Sequence, residues 1–107
     1  MKRIAAFVVF TLLASPVFAA DAPANQIAIK EYMYTPATLN VVAGTKVTWI
    51  NRDDVPHTIV DADKAFRSSA LDTDDTYSYT FTKPGTYHYF CTLHPKMVGT
   101  IIVADGK

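Results

Sequence analysis

The chain has 107 residues, with ten basic and ten acidic side chains, a formal net charge of zero and half of its residues apolar. That length suits one domain, not two, and the even charge lacks the basic footprint of a nucleic-acid binder. A single cysteine, Cys91, excludes an internal disulfide framework.

Met1, Lys2 and Arg3, followed by the apolar run from Ile4 to Leu13, predict a secretory signal peptide over residues 1–19. Val17-Phe18-Ala19 offers small residues for cleavage after Ala19 or Ala20. The run is shorter than the roughly 20 residues a membrane span needs, so no anchor is expected and the mature chain is expected in the periplasm. Residues 20–107 then form one domain with eight basic and ten acidic side chains, a net charge of −2. Seven of the ten acids lie between Asp53 and Asp75 and are expected to form a solvated acidic flank that steers association.

After a flexible leader, Gln26 to Lys30 alternates and predicts a half-buried strand. Leu39 to Val42 and Lys46 to Ile50, separated by Ala43-Gly44-Thr45, predict a hairpin. His57 to Val60 is a further short β-branched run. Residues 61–71 break the pattern and predict a long connection, in which Lys64 to Arg67 could make a helical turn. Thr76 to Thr82 alternates Tyr77, Tyr79 and Phe81 against Thr and Ser. Lys83-Pro84-Gly85 turns the chain into Thr86 to Cys91, and Val98 to Val103 is the last strand. Seven or eight short strands punctuated by Gly and Pro turns predict an all-β protein, an antiparallel β-sandwich with Greek-key links. Trp49, Tyr77, Tyr79, Phe81, Tyr87 and Tyr89 are expected in its core, and Met33 in packing. His88 is expected on the surface.

Cys91, His94 and Met97 form a C-x-x-H-x-x-M run at the end of one strand and the start of the next. A thiolate, an imidazole and a thioether on one short loop favour copper over hard cations. His57, which opens a strand after Val55-Pro56, supplies a fourth donor if its end of the sandwich lies beside Cys91. Two imidazoles and a thiolate in a plane, with a distant axial thioether, is the electron-transfer arrangement of copper.

Together, Trp49-Ile50-Asn51-Arg52, Pro56-His57, Gly85-Thr86-Tyr87 and Cys91-Thr92-Leu93-His94-Pro95-Lys96-Met97 resemble the cupredoxin family of type 1 blue copper proteins, and its amicyanin branch most. The resemblance covers most of the mature chain and implies a Greek-key sandwich of about eight strands. It also implies one copper ion, Cu(I) or Cu(II), held by His57, Cys91, His94 and Met97, with no catalytic residues. By the same resemblance, Asn51 ties the two ligand-bearing segments together by hydrogen bonds, and the edge of His94 reaches an apolar surface patch through which electrons pass. The partners so implied are redox proteins such as an amine dehydrogenase or a c-type cytochrome, met by a monomer. Leu93 stands where amicyanins usually have Pro, Lys96 where they have an aromatic and Thr58 where they have Asn, which alters the surface around His94.

Other functions compete for these residues. A periplasmic copper carrier or store would use the same four ligands. An enzyme with Cys91 as nucleophile activated by His94 leaves Met97 and His57 without a role. A structural zinc site has little use for a Met donor.

Overall fold

A computed structural model of the chain describes residues 25–106. The expected signal peptide and its cleavage site lie outside these residues. Eight strands follow in order: β1 (Gln26–Lys30), β2 (Met33–Thr35), β3 (Thr38–Val42), β4 (Thr45–Asn51), β5 (Val60–Asp61), β6 (Thr76–Phe81), β7 (Gly85–Phe90) and β8 (Val98–Ala104). They make two four-stranded sheets, ordered β2-β1-β4-β6 and β3-β8-β7-β5. The all-β sandwich is as expected, but the sheets are mixed: β1 runs parallel to β4, and β3 parallel to β8.

Alternation explains which face each strand buries. In β4, Val47, Trp49 and Asn51 point inward and are fully buried, while Lys46 is exposed. In β8, Ile101 and Val103 do the same. Trp49, Phe81 and Tyr89 are fully buried between the sheets, with Tyr77, Tyr79 and Tyr87 packed against them, as expected for a core. Ring centroids of Trp49 and Tyr89 lie 5.4 Å apart and those of Tyr34 and Tyr89 4.6 Å apart, both edge to face, a favourable aromatic geometry.

The predicted hairpin between residues 39–42 and 46–50 does not form. Ala43 donates its N–H to Ala104 of one sheet at 2.8 Å, and the next residue, Gly44, donates to Phe81 of the other at 2.6 Å. The chain therefore crosses from sheet to sheet at Gly44, whose φ of 97° suits glycine. A short Gly turn and two alternating strands satisfy either a hairpin or such an arch. The outcome depends on β8, β1 and β6 offering open edges on opposite sides of the core.

Three further expectations are corrected. The strand foreseen from His57 is confined to Val60–Asp61, and His57 instead makes a single bridge with Leu71. Lys64 to Arg67 is not helical: Lys64 has a φ of 69°, and Phe66 turns inward to join the core. Met33 lies on β2, the edge strand of the first sheet, and is 56% exposed, not packed.

Candidate metal centre

The loop between β7 and β8 is built by strand register. Phe90 pairs with Val98, so Cys91 faces Met97 across the hairpin, and Cys91 N–H donates to the Met97 carbonyl at 3.1 Å. Met97 N–H in turn donates to the His94 carbonyl at 2.9 Å, closing a tight turn that brings His94 back over Cys91. Cys91 continues the inward parity of Tyr87 and Tyr89 and is fully buried; Met97 is buried beside it.

His57 arrives from the other side of the sequence. Its main chain exchanges hydrogen bonds with Leu71 at 3.1 and 2.8 Å, which pins an otherwise irregular segment. Its Nδ1 then lies 3.8 Å from Cys91 Sγ, the same distance as His94 Nδ1 on the other flank. The three donor atoms all fall within 4.8 Å of one another. With bonds of about 2.3 Å to sulfur and about 2.0 Å to nitrogen, an angle of about 120° at a metal separates S and N by about 3.7 Å. The two S···N distances thus fit a trigonal set around one ion, and a thiolate with two imidazoles fits copper.

The surroundings of the sulfur favour its thiolate form. Burial alone would push the Cys91 thiol up, but the Thr58 N–H at 3.4 Å, the two imidazoles and the Thr58 hydroxyl outweigh it and bring the group down from 9.0 to about 6. Thr58 does more than polarise the sulfur. Its Oγ1 accepts from Thr92 N–H at 2.8 Å and bonds Thr92 Oγ1 at 2.9 Å, joining the His57 segment to the Cys91 loop. The Tyr34 hydroxyl donates to the Thr58 carbonyl at 2.6 Å from inside the core.

This corrects the role expected of Asn51. Asn51 is fully buried, but its amide donates to the carbonyls of Val55 at 2.9 Å and Leu71 at 2.8 Å, and its Oδ1 accepts from Asp53 N–H at 2.9 Å. It shapes the loop leading to His57; the bond across to the Cys91 loop belongs to Thr58.

Asp53 is the residue that sequence reasoning missed. The acidic stretch reads as a solvated flank, yet the Asp53 side chain is buried and its Oδ2 lies 2.8 Å from His57 Nε2. With Nδ1 facing the sulfur and free to bind a metal, Nε2 would carry the ring proton toward Asp53 in the loaded site. A carboxylate on the far nitrogen orients the ring and raises its basicity toward a metal. Burial alone would raise the Asp53 carboxyl, but the N–H groups of Tyr32 and Glu31 and the His57 ring hold it below the ordinary carboxylate range. The available signal was its position four residues before His57, with Asp54, Val55 and the turn-forming Pro56 between. Asp61 is also buried, accepting the N–H groups of Asp63 and Ala65, whereas Asp54, Asp63, Asp72, Asp74 and Asp75 are exposed. His94 is half-buried between the exposed Leu93 and Pro95, and His88 is exposed on β7, away from the cluster, as expected.

A two-sheet sandwich that brings buried His57 and Cys91 together with half-buried His94 defines a blue-copper type of protein. The chain belongs to the cupredoxins: the Cupredoxin-like domain family matches residues 3–103. It is 37% identical over 95 residues to amicyanin of Paracoccus versutus, covering 82% of this chain and 72% of that one. It is 38% identical over 96 residues to amicyanin of Paracoccus denitrificans, covering 83% and 73%. Among solved structures, a purple cupredoxin from Nitrosopumilus maritimus superposes with a TM-score of 0.72 at 36% identity, covering 74% of this chain and 98% of that one. An oxidised methionine-to-leucine variant of amicyanin superposes with a TM-score of 0.71 at 34% identity, covering 78% and 86%. A Cu-containing nitrite reductase from Thermus scotoductus also matches, at 28% identity and a TM-score of 0.73, but over only 25% of its own chain. Homologues and site together define a cupredoxin electron carrier that takes one copper ion.

Proposed function

We propose that the chain is a periplasmic type 1 blue copper protein that shuttles single electrons between redox partners, in which His57, Cys91, His94 and Met97 would hold the copper ion. The observation that carries it is the set of equal 3.8 Å distances from Cys91 Sγ to the two Nδ1 atoms around a stabilised thiolate. Copper supplies the one-electron change. The chain supplies a site held by its own contacts: Thr58 holds the sulfur, Asp53 holds the His57 ring, and strand register holds Met97 opposite Cys91. A site fixed by a packed sandwich and buried hydrogen bonds rearranges little, which favours rapid exchange.

His94 is the half-buried ligand and so the route for electrons to a docked partner, beside the exposed Leu93, Pro95 and Lys96. By family resemblance the partner is a redox protein such as an amine dehydrogenase or a c-type cytochrome, and Leu93 and Lys96 change the surface that it would meet. The signal peptide of residues 1–19 directs the chain to the periplasm, where it works as a monomer.

The test is the absorption spectrum of the purified protein with Cu(II), together with voltammetry. An intense thiolate-to-copper band with reversible one-electron electrochemistry is expected. A colourless protein that holds only Cu(I) and hands it rapidly to a chelator would make it a copper carrier or store instead.

A further inference from the structure

The turn between β1 and β2 is a two-residue connection, Glu31-Tyr32, flanked by the pair Lys30 and Met33. Both residues are left-handed, with φ of 54° and 62°. Turns of this hand favour Asn and Gly, because a Cβ crowds the backbone there. A glutamate and a tyrosine occupy it here, so something outside the turn holds it in place.

That something is Asp53. Its Oδ1 accepts the Glu31 N–H at 2.7 Å and its Oδ2 accepts the Tyr32 N–H at 2.9 Å, while Oδ2 also meets His57 Nε2 at 2.8 Å. One carboxylate therefore fixes the turn and a ligand ring together. The result is visible in where the Tyr32 ring lies. Its centroid is 4.6 Å from that of His94 and 5.3 Å from that of His57, nearly perpendicular to both. Tyr32, His94, Pro95, Lys96 and Met97 line one open cleft. A tyrosine that is half exposed in a strained turn gains nothing for the core, since it does not belong to it.

We propose that Tyr32 is a positioning residue of the metal centre: its ring, anchored through Asp53, caps the two imidazoles, keeps small external ligands off the metal and holds the His94 ring in place. The proposal rests on His57, Cys91 and His94 being the copper ligands. It separates Tyr32 from a turn residue of purely local importance, because glycine is the residue that would relax this turn.

The experiment compares wild type, Tyr32→Phe and Tyr32→Gly. In each Cu(II)-loaded protein, azide is titrated while the thiolate-to-copper band is followed, and copper loss to excess chelator is timed. In the metal-free proteins, NMR reads the ring-current shifts of the His57 and His94 ring protons. The cap predicts that Tyr32→Phe behaves as wild type. Tyr32→Gly should bind azide and release copper about tenfold more readily, the scale of other outer contacts on metal ligands. It should also lose the ring-current shifts while melting no lower than wild type.

A Tyr32→Gly protein that is blue, relaxed and as resistant to azide and chelator as wild type overturns the cap alone. A wild type that takes up no copper yet keeps the ring-current shifts overturns the proposed function and the cap with it.

Discussion

Oδ2 of Asp53 lies 2.8 Å from Nε2 of His57, with both side chains almost wholly removed from solvent. The pair links a ring of the candidate metal site to the backbone of the β1–β2 turn, so the orientation of that ring is tied to the edge of a sheet.

Replacing this carboxylate should therefore weaken metal binding without touching a ligand. Asp53→Ala leaves His57 Nε2 and two backbone N–H groups without their acceptor. Copper affinity, measured by competition with a chelator, is expected to fall about 10- to 100-fold. An unchanged affinity would show that the ring needs no such anchor.

Thr58 offers a separate handle, because its hydroxyl joins the two ligand segments while its N–H points at the sulfur. Thr58→Val removes the hydroxyl bonds and keeps the N–H. Leaving Thr92 N–H without its partner should cost about 1–3 kcal/mol in urea unfolding. The thiolate-to-copper band should shift as the remaining contact to sulfur is disturbed. A band identical to wild type would remove Thr58 Oγ1 from the centre.

The metal-free protein should carry a pH signature of Cys91. Its thiol is lowered from 9.0 to about 6 on folding, so between these values the unfolded chain binds a proton that the folded chain has released. Stability then rises with pH across that window, is fully present above 9 and is lost as pH falls through about 6. Melting temperatures of the metal-free protein over this range, set against Cys91→Ser, test it. A slope that persists in Cys91→Ser belongs to other groups.

Gly99 tests how tightly the core behind the site is packed. It lies inward on β8, and a Cβ there would strike the ring of Tyr89, itself fully buried. Gly99→Ala should cost about 1–3 kcal/mol in urea unfolding through overpacking, with copper still bound. Wild-type stability in this variant would mean that the Tyr89 ring can yield.

Some elements were legible early because their signals are local. β1, β6, β7 and β8 follow from alternation and turn residues within about ±1 residue of their observed limits. The run from Cys91 to Met97 was equally clear, since donors spaced in threes on one hairpin loop are brought together by that loop alone. Other features were hidden because the same local pattern serves two structures. Residues 39–42 and 46–50 alternate as a hairpin would, yet belong to different sheets. Asp53 reads as one more acid in a charged stretch, and only burial under the Glu31-Tyr32 turn distinguishes it from Asp54.

The amino-acid order by itself determined the donor chemistry and the faces of the strands, because residue type and a period of two are properties of short segments. The folded chain alone decided that His57 meets Cys91 across 34 positions, that Thr58 ties their loops and that Asp53 holds both His57 and Tyr32. Those contacts depend on which strand edges are open and which faces share one core, and neither is written within any one segment.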